Sequence, residues 1–202
     1  MHFFFVTRAY QTGNLQIIKD NIRGVFAGSE HSYRHCIVSD LSHGVAFEEF
    51  DEFLDDITDI AGSLDKDPHD SQNTGGMQAA ITHGANDSDW VYVLDDDNLL
   101  HPRFLDVCEH IDGNEDAIVF KIEGRPELGN PDIYATDNAV GKIDWANFIF
   151  KANTVSRFGL EDCIKPPRCE DGIFFGKLVR NKCTIAFLND ELAYYNKLRR
   201  TW

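Results

Sequence analysis

The run Trp90-Val91-Tyr92-Val93-Leu94 leads straight into Asp95-Asp96-Asp97-Asn98, and this junction constrains the chain more than any other stretch. Five apolar or aromatic residues, two of them β-branched, predict a buried strand. Three consecutive carboxylates stand where that strand stops. Unpaired buried charge is costly, so the triplet belongs at an exposed strand end. In open α/β sheets the carboxyl ends of the strands are where ligands bind. Clustered carboxylates there offer hard oxygen ligands to Mg2+ or Mn2+, and such metals usually bring a phosphate with them. Capping a helix is the simpler use of an aspartate. One residue suffices for a cap, whereas three adjacent carboxylates repel one another unless they share a positive partner.

The chain of 202 residues is long enough for one domain with a sizeable core. Its net charge of −15 argues against binding nucleic acid through phosphates, which needs a basic surface. Ten acidic residues fall between Glu48 and Asp70, against Lys66 alone, while Phe47, Phe50, Leu54, Ile57 and Ala61 recur at steps of three and four. This predicts an amphipathic helix with an acidic solvated face. A calcium surface there lacks any EF-hand loop pattern. Five cysteines without a CxxC pair read as free thiols in a reducing compartment, and their spacings do not suit zinc. No apolar run reaches the length of a membrane span, so a soluble, cytoplasmic protein is expected.

Strands and helices alternate through the first half. Strands are predicted over 2–6, 33–38 and 90–94, with helices over 14–25, 46–61 and 77–84. That order implies a mostly parallel sheet with helices on both faces. The second half predicts a helix over 102–111, strands over 117–122, 143–150 and 184–188, a short helix from Thr154 and a longer one opening at Glu170. It reads as a mixed-sheet extension, followed by an aromatic and then basic tail.

Several residues at the expected strand ends can carry chemistry. Thr7 and Arg8 follow the first strand, and Arg8 can face a phosphate in a bidentate manner or serve as a surface arginine. Asp40 follows the second strand, where it can accept from a base N–H or a sugar hydroxyl, or cap a turn. The Asn73-Thr74-Gly75-Gly76 turn lets backbone approach a ligand at a helix N-terminus, which favours anions. Neither a P-loop nor a GxGxxG pattern is present. Glu170-Asp171 can interact favourably with the helix dipole or supply a general base. Trp145 can stack on a sugar or fill the core.

Together these segments resemble the GT-A glycosyltransferases, nearest the large inverting family that includes cellulose and chitin synthases. The landmarks are Thr7-Arg8-Ala9-Tyr10, Ser39-Asp40, the Asn73–Ala80 segment, Asp95-Asp96-Asp97 as the DxD motif, and Glu170-Asp171, in the family's order along nearly the whole chain. The first strand lacks the family's Pro and Asn, and no histidine follows His110. The resemblance implies a single α/β domain over 1–202, its nucleotide-binding half 1–100 and its acceptor and catalytic half 101–202. It implies that Thr7, Arg8 and Asp40 hold the base and ribose, and that Asn73, Gly75 and Gly76 line the nucleotide pocket. Asp95 and Asp96 would contact the ribose or adjoining donor groups. Asp97, with Asp95, would hold Mn2+ or Mg2+ on the donor diphosphate. Asp171 would be the base, with Glu170 the alternative, and Trp145 and Asn147 would lie near the acceptor and donor sugar. The basic tail, Lys197 to Arg200, can then close over the diphosphate or remain a plain terminus.

The function expected is therefore sugar transfer with inversion from a nucleoside-diphosphate sugar, UDP first, to a hydroxyl acceptor. The alternatives are a sugar-1-phosphate nucleotidyltransferase and a non-catalytic module that keeps the nucleotide pocket.

Overall fold

The computed structural model describes residues 1–9, 12–39, 74–87, 89–124, 143–160 and 170–198. The expected acidic helix at 46–61, together with Asp40, Asn73, Cys163 and Cys169, lies outside them.

β1 (His2–Ala9) pairs in parallel with β2 (Ser32–Ser39) on one side and β3 (Trp90–Val93) on the other. Its run Phe3 to Val6 is buried on both faces, which is why it shows no polar alternation. Phe3 and Phe5 point to the side covered by α1 (Leu15–Phe26), packing with Ile18, Ile22, Phe26 and Phe104. Phe4 and Val6 point to the other side, with Met77, Ala80 and Ile81 of α2 (Thr74–Gly84) and with Phe174, Phe175 and Leu178 of α4 (Glu170–Arg180). Between α2 and α4 the chain forms β4 (Leu99–Leu100), β5 (Ala117–Glu123), β6 (Phe148–Lys151) and α3 (Asn153–Phe158). β7 (Ile185–Tyr194) comes last.

The strand order is β2-β1-β3-β6-β5-β7-β4. The sheet is mixed rather than mostly parallel. β1–β2, β1–β3 and β5–β7 run parallel, while β3–β6, β5–β6 and β4–β7 run antiparallel. Alternation and burial encode that a segment is a strand but not the direction of its neighbour, so the central antiparallel β6 left no local trace.

Other differences from expectation have local causes. β1 runs on through Thr7, Arg8 and Ala9, because Thr7 and Arg8 pair with Ile37 and Val38 of β2. α2 begins at Thr74, so Gly75 and Gly76 lie in its first turn and not in a turn ahead of it. The apolar stripe starts only at Met77, which sets the periodicity signal late. The segment Phe104–His110 is a 3-10 helix and not an α-helix; its buried residues, Phe104 and Val107, are three apart, matching three residues per turn. A 3-10 turn at Trp145–Asn147 replaces the start of the strand expected from 143. β7 extends to Tyr194, absorbing the beginning of the expected tail.

Candidate active site

The carboxyl ends of β1 and β3 lie side by side, and there the chain joins Arg8 to Asp95. Arg8 donates from Nε to Asp95 Oδ1 and from Nη2 to Oδ2, both at 2.6 Å. The Arg8 side chain is 6% exposed and that of Asp95 20%. A planar guanidinium matched to both carboxylate oxygens is the strongest form of such a pair. It supplies a positive partner to the first carboxylate of the triplet.

The backbone of the triplet is tied down at three consecutive carbonyls. Asp95 accepts from the Asn98 N–H at 3.0 Å, Asp96 from Asn14 Nδ2 at 2.9 Å, and Asp97 from the Leu198 N–H at 2.9 Å. Asp96 is buried and Asp97 partly exposed.

Asp144 joins the cluster from the turn before β6. Its carboxylate accepts from the Ala146 N–H at 2.9 Å, while its own N–H donates to Asn147 Oδ1 at 3.0 Å, a reciprocal cap. Burial raises the Asp144 carboxyl above the usual range and the Asp95 charge adds to this, while the Ala146 N–H and Arg8 oppose it. The Tyr195 phenol faces Asp144, and its own pKa is raised by burial and by the charges of Asp144, Asp97 and Asp95. Tyr92, buried in β3, donates its hydroxyl to the Ala146 carbonyl at 2.6 Å.

Asp171 completes the group from the first turn of α4. It is partly exposed, and its Oδ1 accepts from the Gly172 N–H at 2.6 Å. Burial, then the nearby Asp144 charge, lifts its pKa to about 7, with Glu170 adding to the rise and the Gly172 N–H and Arg8 opposing it. A carboxylate poised there can accept a proton at neutral pH. Its neighbour Glu170 is buried.

The remaining expected residues are placed as follows. Thr7 is buried and its Oγ1 is hydrogen-bonded to His35 Nε2 at 2.8 Å. Trp145 is buried, its ring stacked 5.4 Å from Phe148 and packed against Phe150 and Phe174. Its Nε1 and the Nδ2 of the buried Asn147 have no hydrogen-bond partner among the described residues. Residues 195–198 form a turn fastened to the carboxylate triplet, and 199–202 lie outside the described residues.

Sequence reasoning missed Asp144, Tyr92 and the pairing of Arg8 with Asp95. A signal for Asp144 was present: Asp144-Trp145-Ala146-Asn147 has the spacing of a capping box. The Arg8–Asp95 pair spans 87 positions and has no local signature.

Among the described residues, no group of three or more His, Cys, Asp or Glu side chains is arranged to hold a metal ion. Both oxygens of Asp95 already accept from Arg8. The carboxylate chemistry of the turn nonetheless suits Mg2+ or Mn2+, since Mg2+ usually takes one or two protein carboxylates and completes its shell with water and substrate phosphates. The donor set thus fits a cation shared with a phosphate ligand better than one caged by protein.

No family model matches the chain, and no curated protein matches it in sequence. Solved structures do match. The fold is similar to that of S. aureus TarS 1–349, at a TM-score of 0.65 and 14% identity over 96% of this chain. The chain spans 60% of that TarS fragment. It is also similar to a mutant of Drosophila beta-1,4-galactosyltransferase 7 crystallised with manganese, UDP-Gal and xylobiose, at a TM-score of 0.53 and 10% identity over 93% of this chain and 65% of the other. A third likeness is to a 4-diphosphocytidyl-2C-methyl-D-erythritol synthase, at a TM-score of 0.55 and 10% identity over 100% of this chain and 94% of the other. The protein therefore has an α/β fold found in glycosyltransferases.

Proposed function

We propose that the protein is a metal-dependent, inverting glycosyltransferase. It moves a sugar from a nucleoside-diphosphate sugar, UDP-linked as first choice, to a hydroxyl acceptor in glycan or polysaccharide synthesis. The observation that carries this reading is Asp171, held near neutral pKa beside Asp144 and Arg8, on the side of the sheet where the Asp95–Asp97 turn lies. TarS has been crystallised with UDP-GlcNAc, and its fold is similar over 96% of this chain, which supports the choice of donor.

In this mechanism Asp171 takes the proton of the acceptor hydroxyl, which is a poor nucleophile at neutral pH. Attack opposite the leaving diphosphate inverts the anomeric centre. Asp97, with Asp95, would hold Mn2+ or Mg2+. That cation, when bound, neutralises the charge that builds on the leaving phosphates. Asp95, oriented by Arg8, and Asp96 serve the ribose and adjoining donor groups. Thr7, Arg8 and Asp40 belong to the base and ribose subsite, and Asn73, Gly75 and Gly76 to the nucleotide wall. Trp145 and Asn147, both buried, would lie near the acceptor and donor sugar as packing behind that subsite, and Glu170 is the alternative base. Residues 1–100 form the donor half and 101–202 the acceptor half. A reducing, cytoplasmic setting suits the cysteines Cys36, Cys108 and Cys183.

The test is a panel of UDP-, GDP- and dTDP-sugars with and without Mn2+. Release of nucleoside diphosphate from a UDP-sugar, only with the cation and only with Asp171 intact, is expected. No turnover of any nucleotide sugar with any divalent ion overturns the reading; binding without turnover indicates a non-catalytic module.

A nucleotidyltransferase is the second reading, favoured by the full-length likeness to the diphosphocytidyl-methylerythritol synthase. Pyrophosphate release from a nucleoside triphosphate and a phosphorylated sugar or alcohol would select it. The absent Gly-rich signature after β1 counts against it.

A further inference from the structure

We infer that the turn after β7 is a latch, in which Asn196 and Asn98 are positioning residues that hold the Asp95–Asp97 turn in its ligand-binding geometry. This rests on the donor reading above, and it assigns to the end of the described chain a role beyond that of a lid.

Asn98 is 1% exposed, and its Oδ1 accepts from the Asn196 N–H at 2.7 Å across 98 positions. Two residues later the Leu198 N–H reaches the Asp97 carbonyl. The approach is guided by β4, where Leu99 pairs with Tyr194 and Leu100 with Ala193, and by the Tyr195 N–H, which donates to the Glu123 carbonyl at 2.9 Å. Asn196 is 3% exposed and has φ +54, a left-handed conformation that asparagine tolerates far better than a β-branched residue. That conformation turns the chain back onto the triplet.

The choice of Asn at 98 has a physical reading. Its Nδ2 is buried with no hydrogen-bond partner among the described residues, which costs stability. An aspartate would accept the same bond without an orphan donor, but it would place a fourth carboxylate directly beside three others. Asn supplies the acceptor and keeps the charge down. The Asp97–Asn98 pair is thus held at two points: the Leu198 N–H donates to the Asp97 carbonyl, and the Asn196 N–H donates to the Asn98 amide oxygen.

The test uses the full chain and measures Kd for UDP with Mn2+ and, separately, for uridine, which has no phosphates. Asn98→Ala and Asn196→Val break the latch from opposite sides. Each is expected to weaken Mn2+-supported UDP binding about tenfold and uridine binding, which uses the turn only through the ribose contacts of Asp95 and Asp96, clearly less, with the double variant no worse than either single one. Asn196→Gly keeps the left-handed backbone and the donor, so it should recover most of the affinity lost in Asn196→Val. UDP affinity within twofold of wild type in both single variants overturns the inference, as does an equal loss of uridine and UDP binding. If the wild type binds no nucleoside diphosphate, the donor reading fails on its own and amide hydrogen exchange decides the latch. Faster exchange at 95–98 in both variants supports it, and unchanged protection overturns it.

Discussion

Asp171 and Arg8 are two residues whose behaviour is set by their immediate neighbours. Asp171 titrates at about 7 because burial and the Asp144 charge oppose its ionisation. If Asp171 is the base, kcat/KM should rise with pH along a single-ionisation limb centred near 7. Asp144→Asn keeps the helical cap, since Asn caps as well as Asp, but removes the charge. The limb should therefore move to lower pH, which a pH–rate profile reads directly. A linked effect on stability follows. With its pKa raised in the folded state, Asp171 favours folding while protonated, and that contribution is lost as pH rises from the ordinary carboxylate range through about 7. Asp171→Asn should gain stability relative to wild type at pH 8 and not at pH 4, measured by urea unfolding. Arg8→Ala leaves the partly buried Asp95 without its bidentate partner, and a loss of about 3 kcal/mol is expected, read from the urea midpoint. Arg8→Lys should recover little of it, because an ammonium cannot match both oxygens.

At the scale of elements, α3 and α4 show what periodicity conveys and what it leaves out. The first turn of α4 carries Glu170 and Asp171 and its last turn Lys177 and Arg180, a charge order that suits the helix dipole and is readable from sequence. The partner of Lys177 is not. Its Nζ donates to the Phe158 and Gly159 carbonyls at 3.1 Å each, closing the C-terminus of α3. Lys177→Met keeps the apolar stem and removes both bonds, so thermal unfolding should show a loss of about 1–3 kcal/mol. The strands behave alike. β1, β3 and β5 were legible because burial on both faces leaves apolar runs, whereas β2 offered only the shorter run Cys36-Ile37-Val38. β4, with two residues, carries no pattern, and it exists only because β7 pairs with it. The 3-10 turn at Trp145–Asn147 was hidden because Trp145, Phe148 and Phe150 are all buried, so the segment resembles a strand throughout.

The whole molecule carries a net charge of −15, which makes a site built from Asp95, Asp96, Asp97, Asp144 and Asp171 costly unless cations compensate. Mn2+ together with UDP should therefore stabilise the fold more than UDP alone. At a hundredfold excess over Kd the gain is about 2.7 kcal/mol, visible as a rise in Tm that EDTA reverses. The amino-acid order by itself determined the doubly covered strands, the helix that opens on Glu170-Asp171, and the placing of three carboxylates at a strand end. These follow from local periodicity and from the cost of burying charge. Only the tertiary structure decided that β6 enters the sheet antiparallel between β3 and β5, and that Arg8 closes on Asp95. It alone brought Asp144 and Tyr195 to the same edge and latched Asn196 onto Asn98. Those contacts depend on which strands become neighbours, and partners 87 or 98 positions apart share no local pattern from which pairing could be read.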